Sequence, residues 1–409
     1  MRKIFIVILL LLFVDCKGKE KPQETVTQEP AQTHIPNLSQ SPVAPPVSVK
    51  PNEINPRIAN VNFIANEQVV QTERLPVSDK PPLFVLYGRF DGKNALYAYV
   101  LQDRIRFVKS NGFVVAEVVS DLTARFAIRV PGIGNRPDRV LVGWGRDPMS
   151  KKDIAKRVEF TLTDLSGKTP NQMVHTILHQ AQTDRADPQD AVMAPDGSFV
   201  LAWFSDKYTV QTAVITPGSK DAKNLFSAAM ISRIAVLKVE NNRYTLAVAR
   251  IYGDQPGSDG GLFIVEDKTW RQLPTVRGVR GLWADIQQDG WDLWAGDGWD
   301  KDYGRVAKAY LSLISVRGQQ VQRKQIAEIE RGFSVFDILP CNLFGLEKPG
   351  KLIKTNNQLL WLPNSADTKP TYLASWSATT MPTVSDLDQD GFDEILIATP
   401  EPIALKLKK

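Results

Sequence analysis

The sequence predicts an all-β fold: a seven-bladed β-propeller preceded by a signal peptide and a disordered tether. Three observations predict it. From residue 57 onward the apolar residues fall in short runs of Val, Ile, Leu, Phe, Tyr and Trp bounded by Gly, Pro, Asp or Asn, which are strand signals. A polar turn leading into an apolar strand recurs at Asp91-Gly92, Pro137-Asp138, Asp196-Gly197, Asn241-Asn242, Asp289-Gly290, Pro349-Gly350 and Asp390-Gly391, about every fifty residues. A unit of three or four strands cannot bury both its faces alone, whereas radial stacking of such units does so and leaves only short edges. An array of β-sandwiches is the competing architecture, and a spacing near fifty favours the propeller.

The chain divides into segments 1–15, 16–56 and 57–409. Met1-Arg2-Lys3 precedes an uninterrupted apolar run from Ile4 to Val14. That run is too short to cross a bilayer, which takes about twenty residues, and a positive start before a short apolar stretch reads as a secretory signal peptide. Asp15-Cys16 and the polar Lys17-Gly18-Lys19-Glu20 follow. The arrangement resembles a bacterial lipoprotein signal, with Phe13 and Asp15 departing from the usual residues before the cysteine. The resemblance implies lipidation at Cys16, and a diacyl or triacyl anchor holds a protein at a membrane because each buried methylene contributes about 0.8 kcal/mol. Residues 16–56 carry prolines 22, 30, 36, 42, 45, 46, 51 and 56 among Gln, Thr, Ser and Glu. Such a composition cannot bury enough surface to fold and stays extended, so it reads as a tether.

The body, 57–409, opens with Arg57–Val70. The last unit is short, with only Pro400–Lys409 after its central strand, so Arg57–Val70 is the expected donor of the strand that closes the ring. Two stretches repeat visibly: 140–167 and 292–318 both read strand, Gly-acid loop, long strand, turn.

Composition excludes several functions. The 50 basic and 45 acidic residues are interspersed, which leaves no basic block for nucleic acid. Two cysteines and three histidines exclude a disulfide framework, a zinc ribbon and a multi-histidine centre. No G-x-S-x-G, phosphate-binding loop or G-x-G-x-x-G stands between a strand and a helix.

The most specific stretch is DLDQDGFDEILIA, 386–398. Asp386, Asp388 and Asp390 alternate, and Gly391 allows a sharp turn. Carboxylates so spaced crowd together only around a cation, and calcium takes six to eight oxygens at about 2.3–2.6 Å. The Phe392 carbonyl and Glu394 complete the expected calcium ligands. Position twelve is Ile397, so the loop is not an EF-hand. An acidic loop running straight into a strand resembles the FG-GAP/VCBS repeats of integrin α-subunit propellers and their bacterial relatives. ADIQQDGWDLWAG, 284–296, is a weaker copy, in which Asp285, Gln287 and Asp289 hold the first three positions and Leu293 replaces the last acid.

Among other candidates, Trp294, Asp297, Trp299, Asp300, Asp302 and Tyr303 form an aromatic–acidic loop suited to a glycan or cationic peptide, against a plainer reading as one core tryptophan plus an exposed loop. His175 and His179 lie four apart, as on a helical turn, without a third ligand; His34 falls in the tether. Cys341 has no nominated base. These features predict a lipid-anchored protein of the bacterial cell envelope, extracytoplasmic at the outer membrane or cell surface. Its propeller is expected to be a non-catalytic binding or scaffold module for protein or glycan. A polysaccharide lyase or hydrolase, and an envelope-assembly lipoprotein, are the alternatives.

Overall fold

The computed structural model describes residues 63–408 except 77–79, 147–155, 168–171, 217–218, 220, 254–258, 276, 300–308, 330–333, 347, 364–368 and 377–379. The signal segment, Cys16, His34 and the tether lie outside the described residues. Those described form seven antiparallel sheets and no helix.

Five blades are local four-strand meanders. Blade I is Phe84–Gly88, Leu96–Val100, Arg104–Val108 and Val114–Val119, and blade II is Thr123–Val130, Arg139–Gly145, Arg157–Asp164 and Val174–Gln182. Blade III is Pro188–Met193, Phe199–Phe204, Thr209–Ile215 and Lys223–Ala229, and blade IV is Ile231–Glu240, Arg243–Tyr252, Asp259–Glu266 and Thr269–Gln272. Blade V is Gly278–Gln287, Gly290–Trp299, Ala309–Arg317 and Gln320–Ile329. The first strand of each blade touches the first strand of the next, and blade VII returns to blade I. The ring therefore closes, and first strands line its centre, which rules out a row of sandwiches.

Burial follows from this. Second strands have partners on both edges and a neighbouring blade on both faces, so Leu96–Val100, Phe199–Phe204 and Gly350–Thr355 are buried throughout. Outermost strands such as Val174–Gln182 are half exposed. Core clusters bridge adjacent blades; one joins Phe90 and Phe107 of blade I to Val142 and Trp144 of blade II. Each of the seven polar turns seen in the sequence lies between the first and second strands of a blade, or supplies the first residue of the second strand.

Closure differs in detail from expectation. Blade VI (Val335–Cys341, Gly350–Thr355, Gln358–Leu362, Thr371–Trp376) gains a fifth strand, Phe63–Ala65, paired with Thr371–Trp376. Blade VII (Thr383–Ser385, Glu394–Ile397, Ile403–Leu407) is completed by Val70–Arg74, from Val70 opposite Leu407 to Arg74 opposite Ile403. The closing strand thus begins where the expected one ended, and the segment before it serves the neighbouring blade. Asn66 makes the transfer: its backbone N–H donates to Leu373 O at 2.8 Å, and its carbonyl accepts from Val69 and Val70. Arg57–Asn62 lie outside the described residues.

Candidate functional site

The acidic loop 386–393 joins two short strands of the closing blade, whose pairing stops at Ser385 opposite Glu394. Gln389 and Gly391 take left-handed φ values of 62° and 87° and curl the backbone over Asp386. The Asp386 carboxylate accepts the N–H groups of Asp390 (3.1 Å) and Gly391 (3.0 Å). Asp390 accepts from Phe392 N–H at 3.0 Å, and Glu394 accepts from Leu387 N–H at 2.6 Å. Carboxylate oxygens of Asp386, Asp388 and Glu394 lie within 4.8 Å of one another.

Both neighbouring blades grip this loop. Tyr87 of blade I donates its hydroxyl to Leu387 O at 3.2 Å. From blade VI, Asn342 donates its backbone N–H to Asp393 and its side-chain amide to Gly391 O. Among the described residues, the cation at the acids is Lys406 of the last strand, 3.2 Å from Asp388, 3.9 Å from Glu394 and 3.0 Å from Glu73 of the closing strand. Hydrogen bonding to Lys406 holds the Asp388 carboxyl below the usual range, whereas burial pushes Glu394 up. Burial opposes the Lys406 charge, but Glu73 and Asp388 outweigh it and raise its pKa. Converging hard oxygen donors, with an ammonium group standing in as cation, fit a calcium ion in chemical type.

The second acidic loop does not converge. Gln287 pairs with Gly290, leaving a two-residue turn of Gln288 and Asp289. Asp285 accepts the indole N–H groups of Trp283 and Trp294, each at 2.9 Å, and pairs with the buried Lys351 at 3.0 Å. Asp289 instead meets Arg317 at 2.9 Å. Among the described residues, the group at 386–394 is the one set of three acids, cysteines or histidines close enough to share an ion.

The aromatic–acidic loop separates too. Trp294 is buried, and the buried Asp297 accepts from Ser312 and pairs with Arg323 at 3.0 Å. Both are core groups. Trp299 ends its strand, and Asp300, Asp302 and Tyr303 lie outside the described residues. His175 and His179 sit on the outermost strand of blade II rather than on a helical turn, because Val174–Gln182 pairs with Arg157–Asp164. His175 bonds Thr163 at 2.8 Å, His179 packs on Trp203, and burial lowers both pKa values. Cys341 is buried, which pushes its thiol pKa up.

One constellation went unread in the sequence. The third residue of the innermost strand is charged in five consecutive blades: Arg125, Asp190, Arg233, Arg280 and Asp337. In each of these strands the ladder shifts register within the first four residues, whereas the innermost strands of blades I and VII pair without a shift. Such bulges re-aim side chains. Arg233 of blade IV reaches Asp337 of blade VI at 3.4 Å, past blade V. Gly281 lets the inner strands of blades V and VI approach closely, since a Cβ there would stand 2.9 Å from Val335 Cγ1. Arg280 stacks on Phe336 at 3.6 Å, Asp190 accepts Ile234 N–H at 2.8 Å, and Arg125 pairs with Asp187 at 2.9 Å. The sequence signal was a charge at the third place of largely apolar strands, as in ISRIAV and GVRGLW.

The described residues form a seven-bladed β-propeller, a fold that does not by itself fix a function. No protein-family model and no curated protein matches the sequence. Two solved structures similar to it are BBS1N in complex with ARL6DN (10% identity, 83% of this chain and 96% of that one, TM-score 0.47) and streptogramin B lyase (13% identity, 83% and 99%, TM-score 0.49).

Proposed function

We propose that this protein is a lipid-anchored, extracytoplasmic propeller of the FG-GAP/VCBS type, stabilised by calcium and acting as a non-catalytic binding or scaffold module for protein or glycan in a bacterial envelope. The observation that carries the calcium reading is the convergence of Asp386, Asp388 and Glu394 in a loop gripped by blades I and VI. The ion would be held there with Asp390 and the Phe392 carbonyl, and would supply the positive charge that three carboxylates need. The envelope reading rests on the signal-like run ending at Cys16.

Calorimetry with calcium tests the first part: saturable binding that Asp388→Ala abolishes supports it, and a flat titration of the wild-type protein ends it. Detergent partitioning tests the second: the wild-type protein is expected in the detergent phase and Cys16→Ser in the aqueous phase or unprocessed. A second reading, a propeller enzyme acting on polysaccharide, is favoured by the acids and bases brought to the inner strands at Asp190, Arg233, Arg280 and Asp337. Depolymerisation that is lost in Arg280→Gln would select it.

A further inference from the structure

We propose that the groove between blades III and IV binds a small amphipathic anion, an apolar body carrying one carboxylate. The inference goes beyond the protein- or glycan-binding role proposed above and uses none of the residues of the 386–394 loop.

The groove encloses about 250 Å³ at the end of the two blades where the hairpins of blade IV turn. Its floor is apolar. Tyr244, Leu246 and Val265 are buried there, and the Tyr244 hydroxyl is engaged by Asp196 at 3.1 Å and Ser198 at 3.0 Å, which leaves its ring as the lining. Its wall comes from a bulge in the outermost strand of blade III. Thr212 pairs with Phe226 and Ala213 with Asn224, so Leu225 is the extra residue. Neighbours in a strand ordinarily face opposite ways, but here Leu225 and Phe226 both pack on the core cluster shared with blade IV, and both stay half-buried. Trp270 braces Phe226 edge-on, with ring centroids 5.1 Å apart.

Charge sets the sign of the ligand. The charged side chains lining the groove are Lys223, Arg243, Asp267 and Lys268. Arg243 pairs with Asp267 at 3.4 Å. Among the described residues no carboxylate pairs with Lys223 or Lys268, so two positive charges stay uncompensated beside an apolar floor. Lys268 also occupies a strained place. It is the second residue of the two-residue turn between Glu266 and Thr269, with φ of 71° after Asp267 at 46°. Glycine or asparagine suits such a position, and the sister turn of the same blade is Asn241-Asn242. Strain of this kind collects at binding sites, where it fixes a side chain in place. The volume lies below the roughly 300–1,000 Å³ of sites for drug-sized molecules, so the occupant is a small acid. Its carboxylate meets an ammonium group at the rim while its body covers Leu225 and Phe226.

The test is calorimetric titration of the whole protein with 3-phenylpropionate and with octanoate, beside acetate, which lacks the body, and 3-phenylpropanol, which lacks the charge. Saturable binding of a carboxylate probe is expected, with acetate and the alcohol weaker by about tenfold or more. Tighter binding of 3-phenylpropionate assigns an aromatic acid, and tighter binding of octanoate a fatty acid. Lys268→Gly is expected to weaken binding about threefold while raising the melting temperature, because it removes the charge and the backbone strain together. The double variant Lys223→Glu with Lys268→Glu is expected to lose binding by tenfold or more, about the effect of reversing both charges at the rim.

Absence of saturable binding by both carboxylates up to their solubility limits, an alcohol that binds as tightly as the acid, or undiminished affinity in the double variant overturns the proposal. Circular dichroism checks each variant, and if the double variant fails to fold, Lys268→Gly decides, full affinity there counting against the site. Calcium titrated into the same samples separates this inference from the calcium reading. A calcium response without carboxylate binding removes only the groove, and the converse removes only the ion.

Discussion

The hairpins of blades V and VII begin with nearly the same residues, DIQQDGWDL at 285–293 and DLDQDGFDE at 386–394, and fold differently. In blade V the strands pair up to Gln287 opposite Gly290 and leave a tight turn. In blade VII pairing ends at Ser385 opposite Glu394 and leaves an eight-residue loop, 386–393. The acids at Asp388 and Glu394, against Gln287 and Leu293, bring three carboxylates together where a closed hairpin would force repulsion. The flanking positions matter as much. Trp283 and Trp294 hand Asp285 two indole donors, whereas Val384 and Ile395 offer Asp386 none, so Asp386 turns to backbone N–H groups of its own loop. A short acidic motif thus becomes a core anchor or an open loop of converging carboxylates according to the side chains beside it.

The largest effect that would sharpen this contrast is at Asp285. Asp285→Ala leaves the buried Lys351 ammonium and two indole N–H groups without their acceptor, and breaking a buried pair costs about 3–5 kcal/mol. Urea unfolding is expected to show that loss while calcium still stabilises the variant. A calcium response lost with Asp285 would erase the distinction between the loops.

Next comes ion removal. Calcium at a hundredfold excess over Kd is expected to add about 2.7 kcal/mol, which chelator withdraws. Asp388→Ala is expected to remove this increment, and an undiminished response in that variant would contradict the site. Lys406→Met acts more gently: without calcium it removes a partly exposed pairing worth about 0.2–1 kcal/mol, and with calcium it tightens binding because no ammonium competes for Asp388. Weaker calcium binding in this variant would show that Lys406 assists the ion. The smallest change is expected from Gln287→Asp, an exposed substitution within about 0.5 kcal/mol that gives blade V the same first three acids as blade VII. It is expected to create no calcium response, because Asp285 stays with its tryptophans; a gained response would show that acid count alone decides.

The repeat was legible because it is local. Each polar turn and the strand after it lie side by side in the chain, so turn chemistry and alternating burial mark all seven blades. The matching stretches 140–167 and 292–318 are likewise the second and third strands of blades II and V. What was hidden depends on partners far away in sequence. The expected closing strand, Arg57–Val70, holds Phe63–Ala65 and stops at the first residue of Val70–Arg74, because only their distant partners, Thr371–Trp376 and Ile403–Leu407, assign the two pieces to different blades. Asp285 and Asp297 look like ligand-facing acids until Lys351 and Arg323 claim them. The charged inner positions are single residues in apolar strands, and only the ring brings them together.

The closing blade also sets an order of events. Blades I to V can pair as soon as their own four strands exist, but Val70–Arg74 finds its partner only when Ile403–Leu407 has been made, and Lys408 reaches back to Glu67 across 341 residues. Such non-local pairing is slow, and an unpaired strand edge invites aggregation while it waits. Val70–Arg74 is suited to the delay: one apolar residue is followed by Gln, Thr, Glu and Arg, all exposed even in the finished ring. One of the first strands synthesised is thus among the last used, and its polarity protects the nascent chain until the ring can shut.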